Sequence, residues 1–404
     1  MREGWTKTTL GAVLETITDR AGDHGPELVL SVTEKRGVIP QEEVFKKRIA
    51  TLDTSKYKVL QRLDIAFNPY LVWCGAVGQW LGPAPGITSP VYECFRVANG
   101  CDPRFVGLVL ESGLLTSYFD ATAVGSIQRR RRTTVPVFRS APLLLPPLAE
   151  QRRIVDLVQS VDIAQNAATL TIEAHSELSM RLVDNWVQDW TGPMTRLGDV
   201  AKMGSGSGWK SSDESPEAGK GRLRVLGITN TPPGGAITLD QVKYVEDLPE
   251  STPKQSESSL LMIRTNGNRK RIGNVYRIPP EARDCAFSAF QIGLHFGSPE
   301  ETTFAYWMLS ESRIQSQISF AASGSTGLGN VAITWLRNLE IPWPASDASR
   351  ITASQLFDAA GECVIAGRNL QDSYVELRSC LLSQLLSGTH GIAASYDSIL
   401  EMVS

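Results

Sequence analysis

Residues 142–158, PLLLPPLAEQRRIVDLV, decide the fold, and they change character at their centre. The apolar run from Pro142 to Leu145 has the composition of a buried strand. Pro146 and Pro147 stop it, because proline offers no N–H to a ladder and fixes φ near the value that starts a helix. Glu150 then favours the positive end of a helix dipole. From Ile154 onward apolar residues recur at spacings of three, four or their sums: Leu157, Val158, Val161, Ala164, Ala168, Leu178, Leu182 and Val183. No proline or glycine falls between Leu148 and Thr191. The pattern predicts a helix of about 40 residues, or two in line, roughly 60 Å in length.

The same junction returns later in the chain. LLLPPLAEQRRIVDLV resembles LEIPWPASDASRITASQLF, which aligns Pro146 with Pro342 and Ile154 with Ile351, at offsets of 196 and 197. TTLGAVLETI (8–17) resembles TRLGDVAKM (195–203), with Leu10, Gly11 and Val13 aligned on Leu197, Gly198 and Val200 at an offset of 187. The closing pieces MRLVDNWV (180–187) and CLLSQLLS (380–387) lie 200 apart. The chain therefore reads as a duplication, each half a globular block followed by a helix. In the second helix the stripe runs through Ile351, Leu356, Phe357, Val364, Ile365, Leu370, Val375, Leu377, Leu381, Leu382, Leu385 and Leu386 to a stop at Gly388, with weaker points at Gly361 and Gly367. Stripes this long outrun a block of about 150 residues, so an antiparallel helix pair is expected. Packing of each helix on its own block alone is the alternative.

Composition sets the class. The chain has 404 residues, 42% hydrophobic and 21% charged, enough for two to three domains. No apolar run reaches the roughly 20 residues of a membrane span, and MREGWTKTTL lacks the apolar core of a signal peptide, so a cytoplasmic protein is expected. The net charge of −3 is unevenly spread: +4 over 1–147, −4 over 148–190, +1 over 191–344 and −4 over 345–404. Short runs such as LVLSV (28–32), YECFRV (92–97), RVLGIT (224–229), LLMIRT (260–265) and NVYRI (274–278) read as strands, with helical patterns near 103–119 and 302–319. The blocks are α+β, without the alternation of a doubly wound sheet.

Most chemical motifs fail on spacing. The six cysteines and four histidines form no Cys-x-x-Cys or paired-His arrangement, so neither a zinc site nor a disulfide framework is expected. GSGSGWKSS (204–212) has Trp209 where a phosphate-binding loop needs glycine, and reads as a flexible loop with Trp209 and Lys210 at its tip. FNPYLVW (67–73) is similar to the Asn-Pro-Pro-Tyr motif of DNA adenine methyltransferases but has one proline, and no glycine-rich turn offers a place for S-adenosylmethionine. No catalytic triad or acidic nuclease cluster assembles.

Two basic clusters remain. QRRRRTT (128–134) carries Arg129, Arg130, Arg131 and Arg132. RTNGNRKRIGN (264–274) mixes Arg264, Arg269 and Lys270 with Asn266 and Asn268. Arg and Asn form bidentate bonds with guanine and adenine edges, while Lys meets phosphates. A single such cluster is more often a solvated loop. Two in equivalent halves of a duplicated chain favour DNA, and Lys210 joins them as a candidate.

On these residues the chain resembles, over nearly its whole length, the specificity subunit of type I restriction–modification systems. Family members carry a PLPPLAEQ-x-x-IV signature where a target-recognition domain hands over to a spacer helix. The segments from SVTEKRGVIP (31–40) to GITSPVY (86–92) resemble one recognition-domain pattern, and RVLGITNTPPGGAITLDQVKYV (224–245) with MIRTNGNRKRIGNVYRI (262–278) a different one. The resemblance implies two recognition domains (1–147 and 191–344), two antiparallel coiled-coil-like helices (148–190 and 345–390), a tail (391–404) and a pseudo-twofold repeat. Each domain would grip one half of an asymmetric, bipartite site on double-stranded DNA, with the helices fixing the gap between halves.

The helices would also dock two methyltransferase subunits, with Glu150, Gln151, Arg152, Ile154 and Leu157 as partner-binding residues at the first helix start. At the second, Asp347 and Ala348 depart from Glu150 and Gln151. S-adenosylmethionine would be bound by the methyltransferase subunits, ATP and Mg by partner subunits that include restriction subunits where these join, and none by this chain, which would be no enzyme and would not touch membrane. The alternatives are a solitary or fused adenine N6-methyltransferase, and a scaffold in a related phage-defence complex.

Overall fold

The computed structural model describes residues 2, 4–34, 36–45, 50–51, 53–125, 131–234, 236–322, 329–393 and 395–397. The chain divides into two compact units, Met1–Ala168 with Asn369–Ser404, and Thr169–Arg368. Among the described residues no helix is long and apolar enough to cross a membrane.

The first unit starts from an antiparallel pair, Thr6–Thr9 against Pro142–Leu145, which brings residues far apart in sequence to the start of the long helix. A four-stranded antiparallel sheet follows in the order Leu14–Thr16, Glu93–Val97, Ile65–Phe67, Val77–Gln79. Both of its faces are covered, which is why all three residues of Ile65–Phe67 are buried. Ile65 and Phe67 enter a core with Phe95 and Phe138, while Ala66 and Cys94 enter a second core with Leu30 and Trp80. Strand periodicity of two sorts them. In the first core the rings of Phe67 and Phe138 stack with centroids 4.0 Å apart, and those of Phe119 and Phe138 with centroids 5.3 Å apart. The second sheet runs Gly37–Pro40, Val29–Thr33, Gly86–Thr88, Lys58–Leu60, with its middle pair parallel. Helices Pro103–Glu111 and Thr116–Thr122 complete the block, the first capped by the Asp102 carboxylate accepting from the Arg104 and Phe105 N–H groups.

The second unit repeats the first sheet of this topology and departs in the second sheet. Met194–Arg196 pairs with Glu340–Pro342, and a four-stranded sheet runs Lys202–Ser205, Gln291–His295, Ser259–Ile263, Val275–Arg277. Its second sheet, in the order Glu214–Ser215, Lys243–Glu246, Arg222–Leu226, Ala286–Phe287, has its parallel pair at the edge. The duplication extends to single atoms. Leu10 N–H donates to Ala141 O at 3.0 Å, and Leu197 N–H to Leu339 O at 2.8 Å. A Cβ on Gly11 would sit 3.0 Å from Arg139 Cβ and O, and one on Gly198 3.0 Å from Arg337 Cβ and O. Glycine stands at both positions because the backbone approaches so closely.

The first long helix is continuous over Leu148–Gln188 and the second over Asp347–Leu386. Gly361 and Gly367 do not interrupt the second. A Cβ would lie 3.2 Å from the Trp307 ring at Gly361 and 2.8 Å from Ile172 at Gly367, so each glycine makes room for a neighbour. Within each unit the helices run antiparallel. In the first, Ile154, Val155 and Val158 share a core with Leu382, Leu385 and Leu386, and Arg378 Nε meets Asp162 Oδ1 at 2.5 Å. In the second, the Trp186 ring meets Phe357 edge-on at 5.8 Å, and Val183 and Phe357 enter the block's own core. The helices thus pack both on each other and on the blocks.

The glycine-rich stretch differs from its reading as a loop with an exposed tip. Gly204 and Ser205 lie in a strand, and Ser207 bridges to Ser288. Trp209 is half-buried against the second sheet, its Nε1–H donating to Glu214 Oε1 at 2.9 Å. Small residues let this strand run beside the Phe287–Gln291 turn, where Gly206 N–H reaches Gln291 O.

Candidate nucleic-acid interface

In the second unit the strand Ser259–Ile263 runs out into Arg264, which is tied on three sides. Its N–H donates to Phe290 O at 2.9 Å, its O accepts from Val331 N–H at 3.1 Å, and its Nη1 donates to Ser205 Oγ at 3.1 Å. Thr265–Asn266 then pairs with Gly329–Asn330. Asn266 Oδ1 accepts from Asn268 N–H, and Asn268 Oδ1 caps the short turn Arg269–Arg271 by accepting from Lys270 N–H at 3.1 Å. Residues 267–270 are exposed. Arg264, Asn266, Asn268, Arg269 and Lys270 are therefore brought together at one end of one sheet.

The two asparagines differ from the expected base readers, because each carbonyl oxygen is committed to the turn that presents the cations. Arg271 points inward, donating to Thr231 O. Lys210 is exposed beside its own short turn, its N–H held by Asp213, on the side of the second sheet. Among the described residues no contact ties it to the cluster.

The strand ladder locates the counterpart in the first unit. Phe67 pairs with Val77 and Glu93, as Met262 pairs with Val275 and Ile292. Pro69 thus occupies the place of Arg264, and its O accepts from Thr133 N–H at 2.8 Å as Arg264 O accepts from Val331. Beside it lie Tyr70, which is 42% exposed, and Trp73. The Arg132 guanidinium sits 5.6 Å from the Tyr70 ring, and that of Arg131 4.9 Å from the Trp73 ring. Arg131 also pairs with Asp120 Oδ1 at 2.6 Å, so it is already neutralised, unlike the free cation expected. Arg132 is exposed. Arg129 and Arg130 lie outside the described residues. Asn68 shapes this turn, its Oδ1 accepting from Tyr70 N–H and its O from Leu71 and Val72 N–H.

The helix starts carry the largest correction. Glu150 is 8% exposed, accepts from Trp5 Nε1–H at 3.0 Å and pairs with Arg2 at 2.6 Å. Gln151 is 1% exposed, accepting from Asp102 N–H and donating to Pro146 O. Ile154 is a core residue and Leu157 packs half-buried on the same core. These four residues lock the helix to its own unit, and only Arg152 among the five docking candidates is exposed. In the second unit Arg350 performs the lock, donating to Pro344 O at 2.6 Å, pairing with Glu301 and Asp347, and stacking 5.2 Å from Trp343. Sequence reading missed Arg2, Trp5 and Arg350. The only signal was that the second copy lacks the Glu-Gln pair.

Exposed apolar side chains lie further along the helices: Ile163, Leu170 and Leu178 on the first, and Leu356, Ile365, Leu370, Val375 and Leu377 on the second. The spacing places Leu178 and all five from the second helix in the packing stripes. They lie instead at solvent-facing positions.

No family model matches the chain, and no curated protein does. Solved structures do. A chain from a structure describing complex assembly and conformational transition of the type I R-M system matches with a TM-score of 0.59 at 15% identity, covering 96% of this chain and 98% of that one. The type I restriction–modification S subunit from M. genitalium matches with a TM-score of 0.53 at 15% identity, covering 95% and 96%. With two α+β blocks that repeat one sheet, each joined to a long helix, this chain has the fold of type I restriction–modification S subunits.

Proposed function

We propose that the chain is the DNA sequence-specificity subunit of a type I restriction–modification complex, itself non-catalytic. One observation carries this reading: the same sheet framework occurs twice, and at the same end of each copy it presents a different set of cationic and aromatic side chains. Each unit reads one half of a bipartite, asymmetric site on double-stranded DNA, through Arg264, Arg269 and Lys270 in the second unit and Arg132 in the first. The two long helices set the gap between half-sites. Their exposed apolar positions receive the partner subunits, two methyltransferase subunits in the first place, and restriction subunits where these join. Those partners supply S-adenosylmethionine, ATP and Mg chemistry, and the assembly acts on cytoplasmic DNA.

Mapping of N6-methyladenine in the source genome, with and without the gene, tests this. Loss of methylation at one split motif with a fixed gap is the expected result, and an unchanged methylome would overturn the reading. A scaffold role in a related defence complex would then be favoured. The solitary methyltransferase reading is disfavoured because Asn68 is committed to its turn. Titration calorimetry of the chain alone with S-adenosylmethionine is expected to give no heat of binding, and stoichiometric binding would restore that alternative.

A further inference from the structure

Two of the most exposed phenylalanines belong to the second unit. Phe290 is 53% exposed, and its backbone O accepts from the N–H groups of both Arg264 and Thr265, so its position is fixed to the start of the basic segment. Phe320, near the C-terminal end of the helix Ser312–Ala321, is 95% exposed. Two residues beyond it, Ala322 converges on the basic turn: a Cβ at Gly329 would lie 3.6 Å from Arg269 Cγ and 4.0 Å from Ala322 Cβ. On that helix the faces are sorted by the usual period. Ile314 and Ile318 are buried while Arg313, Ser316, Gln317 and Phe320 are outside.

A lone exposed apolar residue requires no explanation. Phe290, bonded to the start of a cationic segment, and Phe320, two residues before its helix meets the basic turn, supply apolar faces for bases on a unit whose cations suit a phosphate backbone. The counterpart in the first unit sharpens the point. By the ladder register, Val91 occupies the place of Phe290, and it is 51% exposed. The framework thus presents this side chain to solvent in both copies, while its identity differs.

We propose that Phe290 and Phe320 are specificity-determining residues of the second unit, contacting bases of its half-site through thymine methyl groups or base faces, while Arg269 and Lys270 hold the backbone. This rests on the reading of the chain as a specificity subunit. Phe320 is almost uncovered and Phe290 about half covered, so Phe320→Ala is expected to leave the melting temperature unchanged and Phe290→Ala to lower it by a few degrees at most.

The test complements a deletion strain with the wild-type gene, F290A or F320A and maps N6-methyladenine. Wild type restores a split motif. Each variant is expected to relax one half only, the same half for both, with occupancy of cognate sites falling roughly tenfold. On duplexes carrying the mapped motif, the complexes purified from these strains are expected to lose affinity without a change in the slope of log K against log salt. Wild-type occupancy at an unaltered motif in both variants would overturn the proposal, as would a reduced salt slope, which would make the rings accessories of phosphate contacts. Failure of the wild-type gene to restore any motif would instead overturn the specificity-subunit reading, and the inference with it.

Discussion

The two sheet ends share a ladder and differ in what they hold out. In the first unit Pro69 and Tyr70 stand where the second has Arg264 and Thr265, and the described arginines lie over aromatic rings, Arg131 also neutralised by Asp120. In the second, Arg269 and Lys270 sit on an exposed turn, and Arg264 is held by Ser205. One framework, anchored by the Leu10–Ala141 and Leu197–Leu339 backbone bonds, tolerates both. The difference teaches that the fold is determined by the ladders and helix junctions, whereas the side chains held out at the sheet end are determined by a few residues after the last ladder pair.

The junctions offer the strongest way to break this comparison. Glu150→Ala would leave the Trp5 indole N–H and Arg2 without their acceptor in a buried site, and is expected to destabilise the first unit by roughly 3 kcal/mol. Arg350→Ala is expected to do the same to the second unit. Denaturant unfolding should separate the two units' transitions, and equal loss in both units from either variant would contradict locks that serve one unit each.

Next in size is DNA affinity. Arg269→Ala with Lys270→Ala is expected to lower the slope of log K against log salt by about 2 and to weaken binding roughly tenfold. Affinity unchanged across a salt series would remove the basic turn from the interface. Asp120→Ala, which frees Arg131, should change affinity by no more than about fivefold, since an exposed pair contributes only about 1 kcal/mol at most. A larger gain would mean that the first unit's cations are held back by their pairing.

Inserting a heptad near Ala167, with a matching one in the partner helix, is expected to change the preferred gap and neither half-site. The smallest effect is chemical. Burial pushes the Cys94 thiol up to about 12, so it should resist alkylation at pH 8 while the exposed Cys363 and Cys380 react, as peptide mapping would show. Labelling of Cys94 in the native protein would mean that the second core of the first unit opens.

Much of the architecture was legible. The two prolines, the apolar stripes and the repeated Leu-Gly pair are local signals, and local signals carry the ends of strands and the runs of helices. Partners across long sequence separations were not legible. Glu150 reads as a helix-start acid, and only the fold shows that its partner is Trp5, 145 positions away. Arg131 reads as one of four arginines until Asp120 and Trp73 are placed beside it. The helix stripes were overcounted because a spacing of three or four marks a face, and it takes the neighbour to say which face is covered. Phe290 gave no signal, because a phenylalanine beside a strand is normally core.

One consequence concerns how such a chain can change without ceasing to fold. Every strand pairing named above stays inside one unit, and the backbone passes between units only within the two long helices, at 168/169 and 368/369. A genetic exchange with its endpoints in the helix-coding segments would therefore transplant a whole unit and cut no sheet, so that, under the proposed function, one crossover pair replaces half of an address and leaves the other half in force.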